Sequence, residues 1–198
     1  MTPAPEPVSE GRRPPAPGGL GLVQGLVNSI DIESGKDEVT TPSELERWLL
    51  DRDLLRGPAA LTIADVAAVV RLRESLRLLL LANNGDEIDA AAEGGARRVL
   101  DDVAVAGGVQ VRFEREAAVR YEVTVGGVAG AMGRIVVAAA VAMGDGTWTR
   151  LKACRDDTCR WAFFDQSKNH SGAWCDMRVC GSRNKMRTYR SRKRAAPG

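Results

Sequence analysis

Residues 154–185 read CRDDTCRWAFFDQSKNHSGAWCDMRVCGSRNK and hold every cysteine and the single histidine of a 198-residue chain. Two pairs of the form C-x4-C, Cys154/Cys159 and Cys175/Cys180, stand fifteen residues apart. Two close pairs on either side of a hairpin-sized insert bring four thiolates to the corners of a tetrahedron, each about 2.3 Å from Zn²⁺. The competing reading is a pair of disulfides, for which four cysteines allow three connectivities. The N-terminal residues lack the apolar run of a secretory leader, which points to a reducing cytoplasmic setting and favours the metal. Four cysteines fill the tetrahedron and leave no position for a catalytic water, so the expected Zn²⁺ is structural. His170 sits in Gln166–Gly172, read as the tip of a hairpin with strands at Arg160–Asp165 and Ala173–Cys175, and is expected to be an exposed turn residue. Arg155, Arg160, Arg178 and Arg183 flank the cysteines and are expected to screen the local charge of the thiolates.

Beyond Cys180 the chain turns strongly basic, with seven of residues 181–194 basic and none acidic. Ser182 is a candidate cap for a helix beginning at Arg183. On that helix Met186 and Tyr189 share one side and are expected to dock on Trp161, Phe163 or Trp174. Arg183, Arg187, Arg190 and Arg194 then form an outward row. A rigid basic helix suits the major groove of DNA, so Arg183, Lys185, Arg187, Arg190, Arg192, Lys193 and Arg194 are candidate nucleic-acid contacts. A solvated cationic tail is the plainer alternative.

The charge is unevenly spread. Residues 150–194 carry 13 Lys/Arg against four Asp/Glu, and the remainder is net acidic, so a polyanionic partner is expected for one end only. Five of the nine aromatic residues also lie in that last stretch, a module too small to fold without a staple.

Upstream the signals are mainly helical. Thr41-Pro42-Ser43-Glu44 is a capping box opening a helix over 42–55, and Thr62 caps a longer one that stops at Asn83-Asn84-Gly85. Leu20–Ile32 and residues 86–105 read as further helices, the latter weakened by Gly94-Gly95. Period-two alternation at Val109, Val111, Phe113 and again at Tyr121, Val123, Val125 reads as a β-hairpin. Val128–Met143 reads as a buried helix ended by Gly144-Asp145-Gly146. Pro and Gly dominate residues 1–18, which are expected to be disordered. No stretch of about 20 continuous apolar residues is present, and no membrane partner is expected.

The finger resembles that of the bacterial CGNR zinc finger proteins. Trp174-Cys175 precedes the second pair, and Cys180-Gly181-Ser182-Arg183 occupies the position of Cys-Gly-Asn-Arg, with Ser182 in place of the family's Asn. Leu26-Val27-Asn28-Ser29 and Leu72-Arg73-Glu74-Ser75-Leu76-Arg77 are similar to segments of the ABATE-type domain that precedes such fingers. The resemblance implies a stress-related transcription regulator.

The expected fold is therefore α+β: a mainly α-helical N-terminal domain with a small β-hairpin (19–148), then a small four-cysteine zinc finger of β-hairpin plus basic helix (149–194) and a frayed end (195–198). The expected function is a DNA-binding transcriptional regulator with an N-terminal sensor domain. An RNA-binding or ribosome-associated zinc protein is the alternative, in which Trp161 or Phe163 stacks on bases. No catalysis is expected, because the N-terminal region has neither His nor Cys and no phosphate-cradling glycine loop. Asn28 with Arg73 or Arg77 is a candidate site for a small anionic ligand, against a role in ion pairs. Val128–Met143 offers an apolar face for a homodimer, although burial within one domain explains it equally.

Overall fold

The computed structural model describes residues 13–195. Among the described residues, six α-helices carry most of the structure, together with three two-stranded antiparallel sheets. Helix α1 (Leu20–Val27) leads through a short ribbon, β1 (Ile30–Asp31) and β2 (Lys36–Asp37), into α2 (Pro42–Leu50). Helices α3 (Ile63–Asn83) and α4 (Ala90–Ala106) follow, then the hairpin β3 (Val109–Phe113) and β4 (Val119–Val123) and helix α5 (Gly127–Asp145).

Local signals set the helix starts. Thr41 and Glu44 form the reciprocal capping box at α2, and Thr62 with Asp65 repeats it at α3. The ends are set by tertiary demands. Helix α2 stops at Leu50, not at 55: Asp53 takes a positive φ and the Leu54 N–H returns to the Leu49 carbonyl, which sends Leu54 and Leu55 into the core. Helix α1 ends at Val27, not at Ile32, and frees Asn28 for a contact described below.

Helix α3 lies at the centre, with Leu72, Leu76 and Leu80 fully buried. Helices α1, α2, α4 and α5 pack around it. Helices α4 and α5 approach closely because neither has a side chain at the crossing: a Cβ on Gly107 would lie 2.9 Å from the Gly133 Cα. Helix α5 is the one described helix long and apolar enough to cross a membrane; nine of its residues, Ile135 and Ala139 among them, are buried inside this core.

From Gly146 the chain passes through a 3₁₀ turn into β5 (Leu151–Ala153), which pairs with β6 (Ala162–Phe164) in the register Leu151↔Phe164, Lys152↔Phe163, Ala153↔Ala162. The expected hairpin is thus rearranged. Residues 162–164 are a strand, but their partner is Leu151–Ala153 and not Ala173–Cys175. The first C-x4-C pair is the turn of the hairpin, and Ala173 instead accepts a hydrogen bond from the Arg155 N–H.

Alternation along these strands divides two cores. Leu151, Ala153, Ala162 and Phe164 complete the helical core, while Phe163 packs with Cys154, Cys175 and Cys180, flanked by Trp161 and Trp174. Polar side chains of the body secure the joint. Asn28 donates its amide to the Ala162 carbonyl (2.9 Å) and accepts from the Ala162 N–H (2.7 Å). Asn83 donates to the carbonyls of Trp148 and Leu151, and buried Asn84 to those of Ala153 and Ala173, all at 2.8–2.9 Å. Arg77 spans the Val27 and Arg160 carbonyls.

The N-terminal expectation changes where the structure is described: in residues 13–18, Ala16 is buried and the Arg13 guanidinium stacks 4.7 Å from the centre of the Phe163 ring. Residues 1–12 and 196–198 lie outside the described residues.

Asn84 is the sharpest probe of the joint, because truncation strands two carbonyls at once. Asn84→Ala should lower the unfolding free energy of the metal-loaded chain by about 2–3 kcal/mol in urea titration. An Ala at exposed Glu87 should change it by no more than about 0.5 kcal/mol.

Candidate metal centre and the helix it carries

The hairpin turn delivers Cys154 and Cys159, and the turn entering the last helix delivers Cys175 and Cys180. Their four sulfurs all lie within 4.8 Å of one another, with Cys159–Cys175 at 3.5 Å and Cys175–Cys180 at 3.7 Å. A disulfide needs about 2.05 Å, so these are four free cysteines. The two separations match the edge of about 3.8 Å that a tetrahedron with 2.3 Å metal–sulfur bonds requires. Among the described residues no histidine or carboxylate joins the cluster, and His170 sits exposed in a turn with φ of 51°.

Thiol chemistry also fits a cation. Hydrogen bonds from Cys159 and Cys175 pull Cys154 down to about 3, helped by the N–H groups of Cys175 and Asp156. Sharing a proton with Cys154 raises Cys159 and raises Cys175 still further, while burial raises Cys180. Burial and mutual proximity thus oppose ionisation of Cys159, Cys175 and Cys180. A divalent metal supplies the charge that keeps all four as thiolates.

Asp156 organises the first pair. Its carboxylate accepts from the Thr158 N–H and hydroxyl, and its carbonyl from the N–H groups of Cys159 and Arg160. The flanking arginines were expected to screen the sulfurs. Arg155 and Arg160 instead pair with Asp86, at 3.2 and 2.9 Å. The loop between the cysteine pairs is held by buried Asp165, which accepts from Lys152 Nζ (2.9 Å), Arg13 (3.0 Å) and the N–H groups of Ser167 and Gly172. Lys152 also donates to the His170 and Gly172 carbonyls.

Helix α6 (Ser182–Ala195) continues a π-helical turn, Met177–Gly181, that contains Cys180. The cap is Asp176, whose carboxylate accepts from the N–H groups of Arg178 and Val179; Ser182 already has helical torsions. Gly181 leaves room for the Met177 side chain, whose sulfur would lie 2.6 Å from a Cβ there and would have to swing aside for a larger residue. Past this turn α6 leaves the body. Met186 and Tyr189 are 52% and 63% exposed, so the expected docking on the tryptophans does not occur; those rings are already packed around the cysteines.

The arginine row is divided accordingly. Arg183 pairs with Glu33 in the β1–β2 turn, and Arg187 with Asp156 (2.5 Å) and Asp157 (2.7 Å). Lys185, Arg190, Arg192, Lys193 and Arg194 are exposed, and no acidic side chain among the described residues pairs with them. Thr158, Val179, Ser182, Met186, Arg187 and Arg190 line a groove between the first cysteine pair and α6.

Asn28, Arg73 and Arg77 do converge, with donors already engaged inside the chain. Arg73 forms a two-pronged pair with Asp37 (2.8 Å each) and also binds Ser29 and Glu74; Arg77 binds Glu74 beside its two carbonyls. Sequence reasoning missed Asn83, Asn84, Asp86, Asp156, Asp165 and Lys152. Asn83, Asn84 and Asp86 showed only polarity at a helix end, Lys152 and Asp156 only polarity near a cysteine, and Asp165 had no local signal.

Two family models match the chain. One, described as ABATE, putative stress-induced transcription regulator, covers residues 21–146; the other, described as CGNR zinc finger, covers 150–193. No curated protein matches it.

Burial alone would raise the Asp165 carboxyl, but Lys152, Ser167 and Gly172 hold it well below the usual range. Its contribution to stability is therefore full above the unfolded value of about 3.9 and is lost as pH falls toward the folded value. Asp165→Asn should cost about 3 kcal/mol near neutrality, because Lys152 is left buried and unpaired. Thermal melts between roughly pH 6 and 2 should then show a smaller further loss in the variant than in the parent.

Proposed function

Since the chain belongs to the ABATE family and ends in a CGNR zinc finger, we propose that it is a transcriptional regulator that grips duplex DNA with α6, oriented by Zn²⁺ bound at Cys154, Cys159, Cys175 and Cys180. The observation that carries this reading is the half-tethered helix. Arg183 is held by Glu33 of the body and Arg187 by Asp156 and Asp157 of the finger's own first cysteine turn, and four basic side chains, Arg190, Arg192, Lys193 and Arg194, continue past the last acidic partner among the described residues. Zn²⁺ suits an all-sulfur tetrahedral site and, with no open position, acts structurally.

Lys185, Arg190, Arg192, Lys193 and Arg194 then supply phosphate or base contacts, while Arg183 and Arg187 set the angle of the helix. Phe163 is buried beneath the cysteines and Trp161 partly buried beside it, which favours duplex DNA over an RNA mode that stacks bases on these rings. We assign Asn28 and Arg77 to holding the finger on the body, and Arg73 to fastening the β1–β2 ribbon that carries Glu33. The ABATE-type body is then the regulatory part, connected to α6 through the Glu33–Arg183 pair.

Duplex binding across a salt series tests the reading. Log K should fall steeply against log salt, by about 0.9 per phosphate contact, and Arg190→Ala should reduce the slope by about 1. A flat salt dependence contradicts it. Stripping the metal with a strong chelator should abolish binding and lower the melting temperature of the whole chain, since β5 and β6 belong to both cores.

A further inference from the structure

The β3–β4 hairpin stands off the body with an apolar face uncovered. Val111, Phe113 and Val119 share that face and are 47%, 86% and 52% exposed. At its base Val123 packs over Gly130 and Gly133 of α5. An isolated two-stranded hairpin is marginal in water, and its free edge is a template for another strand.

The hydrogen bonds define that edge. The Glu114 N–H donates to Ala118 (2.9 Å) and the Thr124 N–H to Gly108 (3.2 Å), so the even positions of β4 bond to β3. Val119, Tyr121 and Val123 direct their backbone groups outward. On the charged face Arg112 lies opposite Arg120, a like-charge pairing relieved by the diagonal contacts Arg112–Glu122 (2.7 Å) and Arg120–Glu114 (2.6 Å).

We propose that β4 pairs antiparallel with β4 of a second copy of this chain, about a two-fold axis at Tyr121. That operator sets Arg120 opposite the partner's Glu122 and Glu122 opposite the partner's Arg120, while the outward odd positions supply the new ladder. A chain of side-chain contacts across the four strands then runs from Glu114 to Arg120, to the partner's Glu122, to the partner's Arg112, alternating in sign, the outer two steps being the diagonal pairs within each hairpin. The apolar faces merge on the other side, with Val119 beside the partner's Val123 near the base of its α5. The edge of β3 is less suited: a two-fold at its centre, Val111, sets Arg112 against the partner's Gln110, and the register about Phe113 that would set Arg112 against the partner's Glu114 runs off the end of the strand. This is a different surface from helix α5, whose inner face packs against α1 and α4. An isologous interface of this kind delivers two copies of α6, in keeping with two-fold related half-sites.

Sedimentation of the full metal-loaded chain without DNA tests the dimer separately from nucleic-acid binding. The parent should sediment as a dimer. Glu122→Arg should weaken association by at least about tenfold, through Arg120 facing a like charge. The exchange Arg120→Glu with Glu122→Arg should restore it, because complementarity across the axis returns. Tyr121→Pro, which removes an outward N–H at the axis and the ring beside it but no hydrogen bond to β3, should be monomeric with an unchanged helical circular dichroism spectrum. A parent that stays monomeric into the millimolar range overturns the proposal. So does a Glu122→Arg chain that associates like the parent, or an exchange variant no tighter than the single one.

Discussion

The carbonyl groups of a short, irregular module need hydrogen-bond partners once they are buried, and the rest of this structure depends on how they are supplied. The cysteine module has two strands of three residues each and cannot satisfy itself. Asn28, Arg77, Asn83 and Asn84 reach across from α1 and α3 to provide those donors. Helix α3 thus serves twice, with leucines filling the core and polar side chains at its C-terminal end holding the finger. Stranding any one of these carbonyls costs more than the net worth of the bond that served it, so the joint is specified in detail.

Electrostatics follows the same division of labour. The acidic excess of the body is not diffuse. Asp86 takes Arg155 and Arg160, Glu33 takes Arg183, and the finger's own Asp156 and Asp157 take Arg187. Each pair neutralises a cation near the cysteines or at the root of α6, and the unopposed positive charge is left beyond them. A basic segment with no such tethers would carry the same charge without a fixed direction.

What the sequence disclosed was local. Capping boxes involve residues three apart, and Thr41 with Glu44 and Thr62 with Asp65 were legible for that reason. The four cysteines were legible because ligand geometry restricts their spacing, and the α+β character followed from the change of period at Val109. What stayed hidden was long-range. An asparagine that clamps a distant carbonyl has the same local signature as one that merely ends a helix, as at Asn84. Residues 151–153 are too short for alternation to mark a strand, so β6 was given the wrong partner. The outward arginine row was sound helical geometry, but nothing along the chain signalled that Glu33 and Asp156 would face its first half. Arg13 lay in a Pro-rich stretch whose composition suggested disorder, and its anchor, Asp165, is 152 positions away.

Neighbouring residues of β6 sit in different cores, Phe164 with the helical body and Phe163 with the cysteines. The strand is a shared wall, and its place in the chain gives it a temporal meaning. A ribosome releases α1–α5 before this wall and α6 after it. Until the wall emerges the body has α3 in place with Asn83 and Asn84 facing no carbonyls and one side of its core open. The nascent chain therefore has a vulnerable interval, which ends for the helical core once residues 151–164 emerge and for the cysteine compartment only when Cys175 and Cys180 follow.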